Sequence, residues 1–373
     1  MNTSVPGRTR APGPPLTEEQ AAEHAHGICF KTGPPGQVGV ELEWLVRDGR
    51  DPAFPVDHTR VTATLALLAA PGALPSQGRL TIEPGGQIEL STAPAAGIGA
   101  CVAAAGTDLE AVRCTARRTG LDLAGQGVDP HRPPRRVLQL PRYQAMEEFF
   151  DRSGPWGRIM MCSTASVQVC VDAGEEGSGT SGYRWRWRLL HALAPVLAAA
   201  FANSPLLHGR PSGWKSTRQA VWARLDPTRT RPPASAEPAA GSERVRPDAA
   251  DPRAAWASYA LDAQVMCVRR PGPDGWSAPP GLTFRDWVRG AGERRPTADD
   301  LAYHLSTLFP PVRPQGHLEL RVIDAQPGDG WIVPAAVVTA LLDDPAAADA
   351  AMAAAEPVWR GPAGPAGNGN GVT

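Results

Sequence analysis

Four segments of the chain alternate between apolar and polar residues with the two-residue period of a half-buried β-strand. In residues 37–47, Val40, Leu42 and Trp44 fall on one face, and Glu41 and Glu43 on the other. Residues 79–91 read as two short strands around the turn Pro84-Gly85-Gly86. There Ile82, Ile88 and Leu90 share one parity, and Glu83, Gln87 and Glu89 the opposite one. Residues 160–172 alternate as a further strand, with Val167, Val169 and Val171 inward and Thr164, Ser166 and Gln168 outward. In residues 317–324, Leu318, Leu320 and Val322 pack inward, while His317, Glu319 and Arg321 face out.

Between these strands the pattern turns helical. The capping box Thr17-Glu18-Glu19-Gln20 opens a helix that ends near Gly27. Residues 60–70, 98–119, 183–200, 256–267, 297–309 and 333–342 also read as helices; Pro195 lies inside one, and Pro334 suits the first turn of the last. Helices and strands mix without a βαβ rhythm or a repeat. The predicted class is therefore α+β with an antiparallel sheet. Residues 1–15 and 361–373 have the Pro- and Gly-rich composition of disordered ends, which leaves 16–360 as a single folded domain. Residues 226–252 break that domain with a loop-like run, Pro-Thr-Arg-Thr-Arg-Pro-Pro-Ala-Ser-Ala-Glu-Pro.

Composition removes several classes of function. The chain has 373 residues, 42% of them hydrophobic, and a formal net charge of −1. That balance gives no reason to expect nucleic acid or a membrane surface as partner. No signal-peptide core and no apolar run of about 18 residues occurs, so a cytoplasmic location is expected. The six cysteines, at 29, 101, 114, 162, 170 and 267, form no CxxC pair and are expected to be free thiols. No Walker A sequence is present. The glycines around Ser178 sit in a polar loop and match a nucleophile elbow only loosely. His191, His208 and His304 are scattered, and read as packing or surface residues. Trp185 and Trp187, interleaved with Arg184, Arg186 and Arg188, read as core and rim of a helix rather than a nucleic-acid surface.

A lone Glu-x-Glu on a strand is ordinarily a solvated face. The same pattern on every strand is harder to dismiss. If the strands share a sheet, Glu41, Glu43, Glu83, Glu89 and Glu319 crowd one face beside Gln168 and Arg321. Two carboxylates about 5 Å apart repel by roughly 3 kcal/mol at an effective dielectric near 20. Cations would relieve that repulsion. An all-oxygen donor set suits Mg²⁺ rather than zinc, and Mg²⁺ on a carboxylate face usually holds nucleotide phosphates. The pattern points to phosphoryl chemistry but names no substrate, and a metal-dependent hydrolase would present a similar face.

Six stretches carry a resemblance: V-G-V-E-L-E-W, E-P-G-G-Q-I-E-L-S, M-M-C-S-T-A-S-V-Q-V, A-N-S-P-L-L-H-G-R-P-S-G-W-K-S-T-R-Q-A-V-W, H-L-S-T-L-F-P-P-V-R and H-L-E-L-R-V-I-D. In this order, across residues 30–345, they resemble the plant-type glutamate–cysteine ligase family, and within it the actinobacterial branch of ergothioneine biosynthesis. The resemblance implies a glutamine-synthetase-like sheet forming a catalytic funnel. It implies ATP and Mg²⁺ as cofactors, small-molecule partners, and glutamate activated as a γ-glutamyl phosphate that the cysteine amine displaces. Monomer and homodimer both stay open.

By matching motifs it implies Glu41, Glu43, Glu83, Glu89 and Glu319 as metal ligands, with Glu41, Glu319 and Arg321 at the chemistry. Gln168 and Lys215 would face the nucleotide. Arg218, Arg321, Thr164 and Tyr259 would face substrate. Cys170 stands where plant relatives carry Asn, their regulatory disulfides do not carry over to these cysteine positions, and 226–252 has no counterpart. Two alternatives stay open: a ligase of the same fold using another amine, and a non-catalytic nucleotide- or metal-binding protein. A dead site has no physical need to hold five repelling carboxylates, which weighs against the second.

Overall fold

Strand β1 (Gln37–Asp48) organises the molecule, because its twelve residues outreach every other strand of the sheet. The computed structural model describes residues 13–233, 251–272 and 275–360. Helix α1 (Glu18–Cys29) precedes β1, and α2 (His58–Leu68), β2 (Arg79–Ile82), β3 (Ile88–Ser91), β4 (Ala95–Ala96), α3 (Gly97–Arg118) and β5 (Leu121–Ala124) follow it. Next come α4 (Pro141–Asp151), α5 (Trp156–Ser163), β6 (Ser166–Asp172), α6 (Tyr183–Ala200), β7 (Leu206–Leu207), β8 (Arg210–Pro211), α7 (Thr217–Trp222), α8 (Pro227–Thr230), α9 (Pro252–Asp262) and α10 (Phe284–Asp286). The chain closes with α11 (Ala298–Leu305), β9 (Val312–Pro314), β10 (His317–Asp324), α12 (Ile332–Asp343) and α13 (Pro345–Arg360).

The main sheet runs β2-β3-β1-β6-β10-β9, with β4 and β5 also pairing to β1, and all its pairings are antiparallel. The expected α+β class with an antiparallel sheet is what the chain adopts. One face is apolar. Val38, Val40, Leu42 and Trp44 of β1, Val167, Val169 and Val171 of β6, and Leu318 and Leu320 of β10 are all buried there. Helices α3, α6, α12 and α13 cover that face, with Leu109, Trp187, Leu193, Val338 and Met352 in the same cluster. Each large side chain so buried contributes about 1.5–3 kcal/mol. A second apolar cluster joins α4, α5 and α7 through Phe149, Phe150, Ile159, Met160 and Val221.

The elements differ from the expectation in identifiable places. Residues 160–163 were expected to begin a strand but are the last turn of α5. Ile159, Met160 and Met161 are buried consecutively against α4, which a helix in a helical hairpin permits and an alternating strand does not. Helix α9 overlaps the expected 256–267 helix over 256–262 but starts and ends earlier: Asp251 caps it by accepting from the Arg253 amide, and Pro252 occupies its first turn. Residues 263–267 are instead extended, bridging to Ser277 and Thr283. Within 226–252, Asp226 caps the one-turn α8, while 234–250 lie outside the described residues. So do 1–12 and 361–373, on which most of the expected terminal disorder falls. No described helix is long and apolar enough to cross a membrane.

Candidate active site

The second face of the sheet is polar, and register brings its side chains together. Residues directly opposite on neighbouring strands share a face. Glu43 stands opposite Glu89, and Glu41 lies between Ser91 on β3 and Gln168 on β6. On the far side, Glu319 lies between Cys170 on β6 and Arg313 on β9. Glu83 follows β2, and its amide donates to the Gln87 carbonyl at 2.9 Å, closing the turn. That turn rests on α5. A Cβ on Gly85 would come within 2.2 Å of the Cys162 carbonyl oxygen, so only glycine fits. Gln87, buried, accepts from the Gly85 amide and donates to the Thr164 carbonyl at 2.9 Å.

The carboxylates are not equivalent. Glu43 accepts from Ser166 Oγ at 2.9 Å and Gln168 Nε2 at 3.1 Å. Glu89 accepts from Thr81 Oγ1 at 2.9 Å and Ser91 Oγ at 3.2 Å. Glu319 is 1% exposed; it accepts from Arg313 at 2.6 and 3.0 Å and from Arg321 Nη1 at 2.9 Å. Arg321 Nη1 also donates to Gln168 Oε1. Among the described residues, no side-chain donor reaches Glu41 or Glu83.

Burial, then the charges of Glu319 and Glu89, push the Glu41 carboxyl up to about 8. Burial and Glu89 push Glu43 up to about 7, against the pull of Arg218 and Arg321. Burial, then Glu89 and Glu43, raises Glu83 well above the carboxylate range. Burial would raise Glu319 too, but the guanidinium groups of Arg313 and Arg321 outweigh it and hold its pKa low.

Added positive charge would relieve this face. Glu41 and Glu83 ionise fully near neutrality only if positive charge arrives. Among the described residues no group of three His, Cys, Asp or Glu side chains is placed to enclose an ion on its own. Magnesium suits such a set, because it keeps several waters and takes one or two carboxylates together with substrate phosphates. Zinc, with its four nitrogen or sulfur ligands, does not.

The remaining sequence candidates separate. Arg218, in the first turn of α7, is 1% exposed, and its charge is felt at Glu43. Its Nη2 donates to the Arg321 carbonyl at 2.8 Å, while Nε and Nη1 have no partner among the described residues. Lys215, just upstream, is exposed. Thr164 is buried at the end of α5 with its hydroxyl donated to the Met160 carbonyl at 2.6 Å. Tyr259 stacks on Trp256 in α9; its hydroxyl has no described partner, and the charges nearest it are Arg229 and Asp226 rather than the site carboxylates.

Sequence reasoning left out Arg313, Asp324 and two α4 residues: Arg142, whose charge acts on Glu83, and Tyr143, whose phenol is pushed up to about 12 by burial and then by Glu83. Arg313 was within reach. Pro314-Gln315-Gly316 is a turn signal, and folding a hairpin there sets Arg313 opposite Glu319.

Residues 37–361 match glutamate–cysteine ligase family 2 (GCS2). Glutamate–cysteine ligase EgtA of Mycolicibacterium smegmatis is 43% identical over 345 residues, covering 91% of this chain and 77% of that protein. The EgtA of Mycobacterium tuberculosis (strain ATCC 25618 / H37Rv) is 42% identical over 344 residues, covering 91% and 76%. The chloroplastic glutamate–cysteine ligase of Medicago truncatula is 32% identical over 256 residues, 66% of this chain and 47% of that protein. A solved structure described as apo GmaS without ligand aligns over 90% of this chain and 57% of that one, at 13% identity and a TM-score of 0.33.

Proposed function

The chain belongs to glutamate–cysteine ligase family 2, and on that premise we propose that it joins the γ-carboxylate of L-glutamate to the amine of L-cysteine with ATP, giving γ-glutamylcysteine. One observation carries the reading. The family match runs through all four alternating segments, and their shared polar face sets buried and half-buried carboxylates against two guanidinium groups.

A carboxylate oxygen is a poor leaving group, and transfer of a phosphoryl group to it makes a γ-glutamyl phosphate that an amine can attack. Magnesium would neutralise and align the phosphates of ATP, each ion taking one or two carboxylates from among Glu41, Glu43, Glu83 and Glu89; Glu319, the fifth candidate ligand, is instead engaged by Arg313 and Arg321. Glu41, between Ser91 and Gln168 on the face, is the carboxylate that would face the transferring phosphoryl group. Arg321 stabilises the negative charge that gathers on the reacting oxygens, and Glu319 and Gln168 hold its guanidinium in place. Arg218 receives a carboxylate or phosphate of the substrates. Lys215 would reach the nucleotide from the rim, whereas Thr164, its hydroxyl donated to the Met160 carbonyl, and Tyr259, beside Arg229 and Asp226, take no part in this reading. Burial of the face keeps water from the acyl phosphate.

Residues 16–360 act as one catalytic unit, in the cytoplasm, on small molecules. The likeness to the two EgtA proteins favours use of the product in ergothioneine biosynthesis. The test is ADP release that requires both glutamate and cysteine, with γ-glutamylcysteine identified by mass spectrometry. A panel of other amines, run against the same glutamate donor, is the control. Undiminished ADP release without cysteine, or a better product from a different amine, defeats the assignment.

A further inference from the structure

Two of the recognised stretches are tied together by a residue that the mechanism has not used. Asp324, the last residue of β10, is 1% exposed. Its Oδ2 accepts from the Asn203 amide at 2.8 Å and from Ser204 Oγ at 2.7 Å, and its Oδ1 accepts from Ser216 Oγ at 2.9 Å. Ser216 is the N-cap of α7 and Ser204 accepts from the amide of Arg218 at 3.2 Å. Both hydroxyls therefore pass the position of Asp324 on to the turn that carries Arg218.

The backbone of β10 completes the clamp. Its register against β6 shifts between Leu320 and Ile323. Such an irregularity takes carbonyls out of the ladder. Here the Arg321 carbonyl accepts from Arg218 Nη2 at 2.8 Å, and the Val322 carbonyl from Gln219 Nε2 at 2.7 Å. The approach is tight: a Cβ on Gly127 would lie 2.4 Å from Asp324 Cγ. Asn203 closes the ring by donating to the carbonyls of Gly125 and Ala325, each at 2.9 Å.

We propose that Asp324 is a positioning residue that holds Arg218 with its Nε and Nη1 free for an anionic group of a substrate. A buried guanidinium leaves donors unpaired only at a cost, unless a ligand completes them. The same chemistry, a carboxylate or a phosphate, could come from glutamate or from ATP. The proposal rests on the ligase reading above, which supplies both.

The experiment uses the full chain and two readouts: dissociation constants for glutamate and for ATP by titration calorimetry, and the corresponding KM values. Asp324→Asn keeps the shape but turns one acceptor into a donor. It should weaken one ligand by about tenfold, the loss of roughly one hydrogen bond to a charged group, and leave the other within about twofold. A glutamate effect identifies the carboxylate, and an ATP effect the phosphate. Ser216→Ala should move the same ligand by less. Asp324→Asn combined with Arg218→Ala should bind no worse than Arg218→Ala alone, because one element is lost twice. Losses that multiply, that fall on both ligands alike, or that are missing from both overturn the proposal. Where Asp324→Asn shows no cooperative melting, Ser216→Ala decides by the same criterion. A wild-type chain that binds these ligands yet makes no cysteine adduct defeats the ligase reading, while the binding comparison still tests Asp324.

Discussion

Glu319 and Arg313 face each other across the β9–β10 pairing, joined by hydrogen bonds of 2.6 and 3.0 Å, with the carboxylate 1% exposed. This pairing sets Glu319 apart from the other four carboxylates, which repel one another. Removing one partner of a buried pair typically costs about 3–5 kcal/mol. Glu319→Gln is expected to lower the thermal midpoint and abolish turnover. Glu41→Gln should also abolish turnover, but near neutrality it replaces a carboxyl already pushed up to about 8 with a neutral amide, and should leave the metal-free protein about as stable. Melting curves and ADP assays on the two variants check the contrast. A fully active Glu41→Gln enzyme would contradict the metal assignment.

The same carboxylates set a pH dependence. An unfolded glutamate titrates near 4.5, whereas Glu41 is pushed to about 8 and Glu43 to about 7 in the fold. Between those values the native state keeps protons that the unfolded state has released. Stability of the metal-free protein therefore falls as pH rises from about 5 to 8. Mg²⁺ with nucleotide favours the ionised carboxylates, so its stabilising effect should grow over the same window, with proton release on binding. Thermal midpoints in EDTA and in Mg²⁺ with ADP, at steps from pH 5.5 to 8.5, test the sign. A metal-free midpoint that climbs steadily through this range contradicts the cluster's electrostatics.

Arg321 illustrates why geometry matters beyond charge. Its Nη1 serves Glu319 and Gln168 together. A lysine ammonium is a point charge on a flexible stem and cannot reproduce a planar fork. Loss of one hydrogen bond to a charged group, about 1.5–3 kcal/mol, corresponds to roughly 10- to 150-fold in kcat/KM. Arg321→Lys is expected to fall in that range at unchanged secondary structure, measured by steady-state kinetics and circular dichroism.

Alternation made β1 and β10 readable because one face of each packs into the core and the other does not. Glu41, Glu43 and Glu319 shared a face with their partners as their parities implied. The sequence was silent where position depends on contacts rather than periodicity. Residues 160–163 lacked an apolar-to-polar contrast that could separate helix from strand, and α4, against which they pack, was not foreseen. Arg313 lies in a Pro-Pro-Val-Arg-Pro run that reads as loop, and the Pro314-Gln315-Gly316 turn after it is the one local signal of its pairing with β10. Asp324 gave no signal of its own: its role depends on a register shift in β10 and on a loop more than a hundred residues earlier in the chain.

The turn Pro84-Gly85-Gly86 supplies the last test, because it places a ligand candidate by backbone contact alone. Gly85 sits against the α5 backbone, and the Cβ of an alanine there would lie 2.2 Å from the Cys162 carbonyl oxygen and 2.4 Å from its Cα. Backbone cannot yield as a flexible side-chain tip can, so the turn must lift. Overpacking of this kind costs roughly 1–3 kcal/mol. Lifting the turn also breaks the Gln87 bonds to Gly85 and Thr164 and moves Glu83 away from Glu89. Gly85→Ala should therefore lose stability and, where the protein still folds, need more Mg²⁺ for half-maximal activity than wild type. Gly99→Ala, in α3 with nothing within 4 Å of the new methyl group, should lose no stability and leave the Mg²⁺ requirement unchanged. A Gly85→Ala enzyme with the wild-type midpoint and Mg²⁺ requirement would show that the turn does not set the position of Glu83.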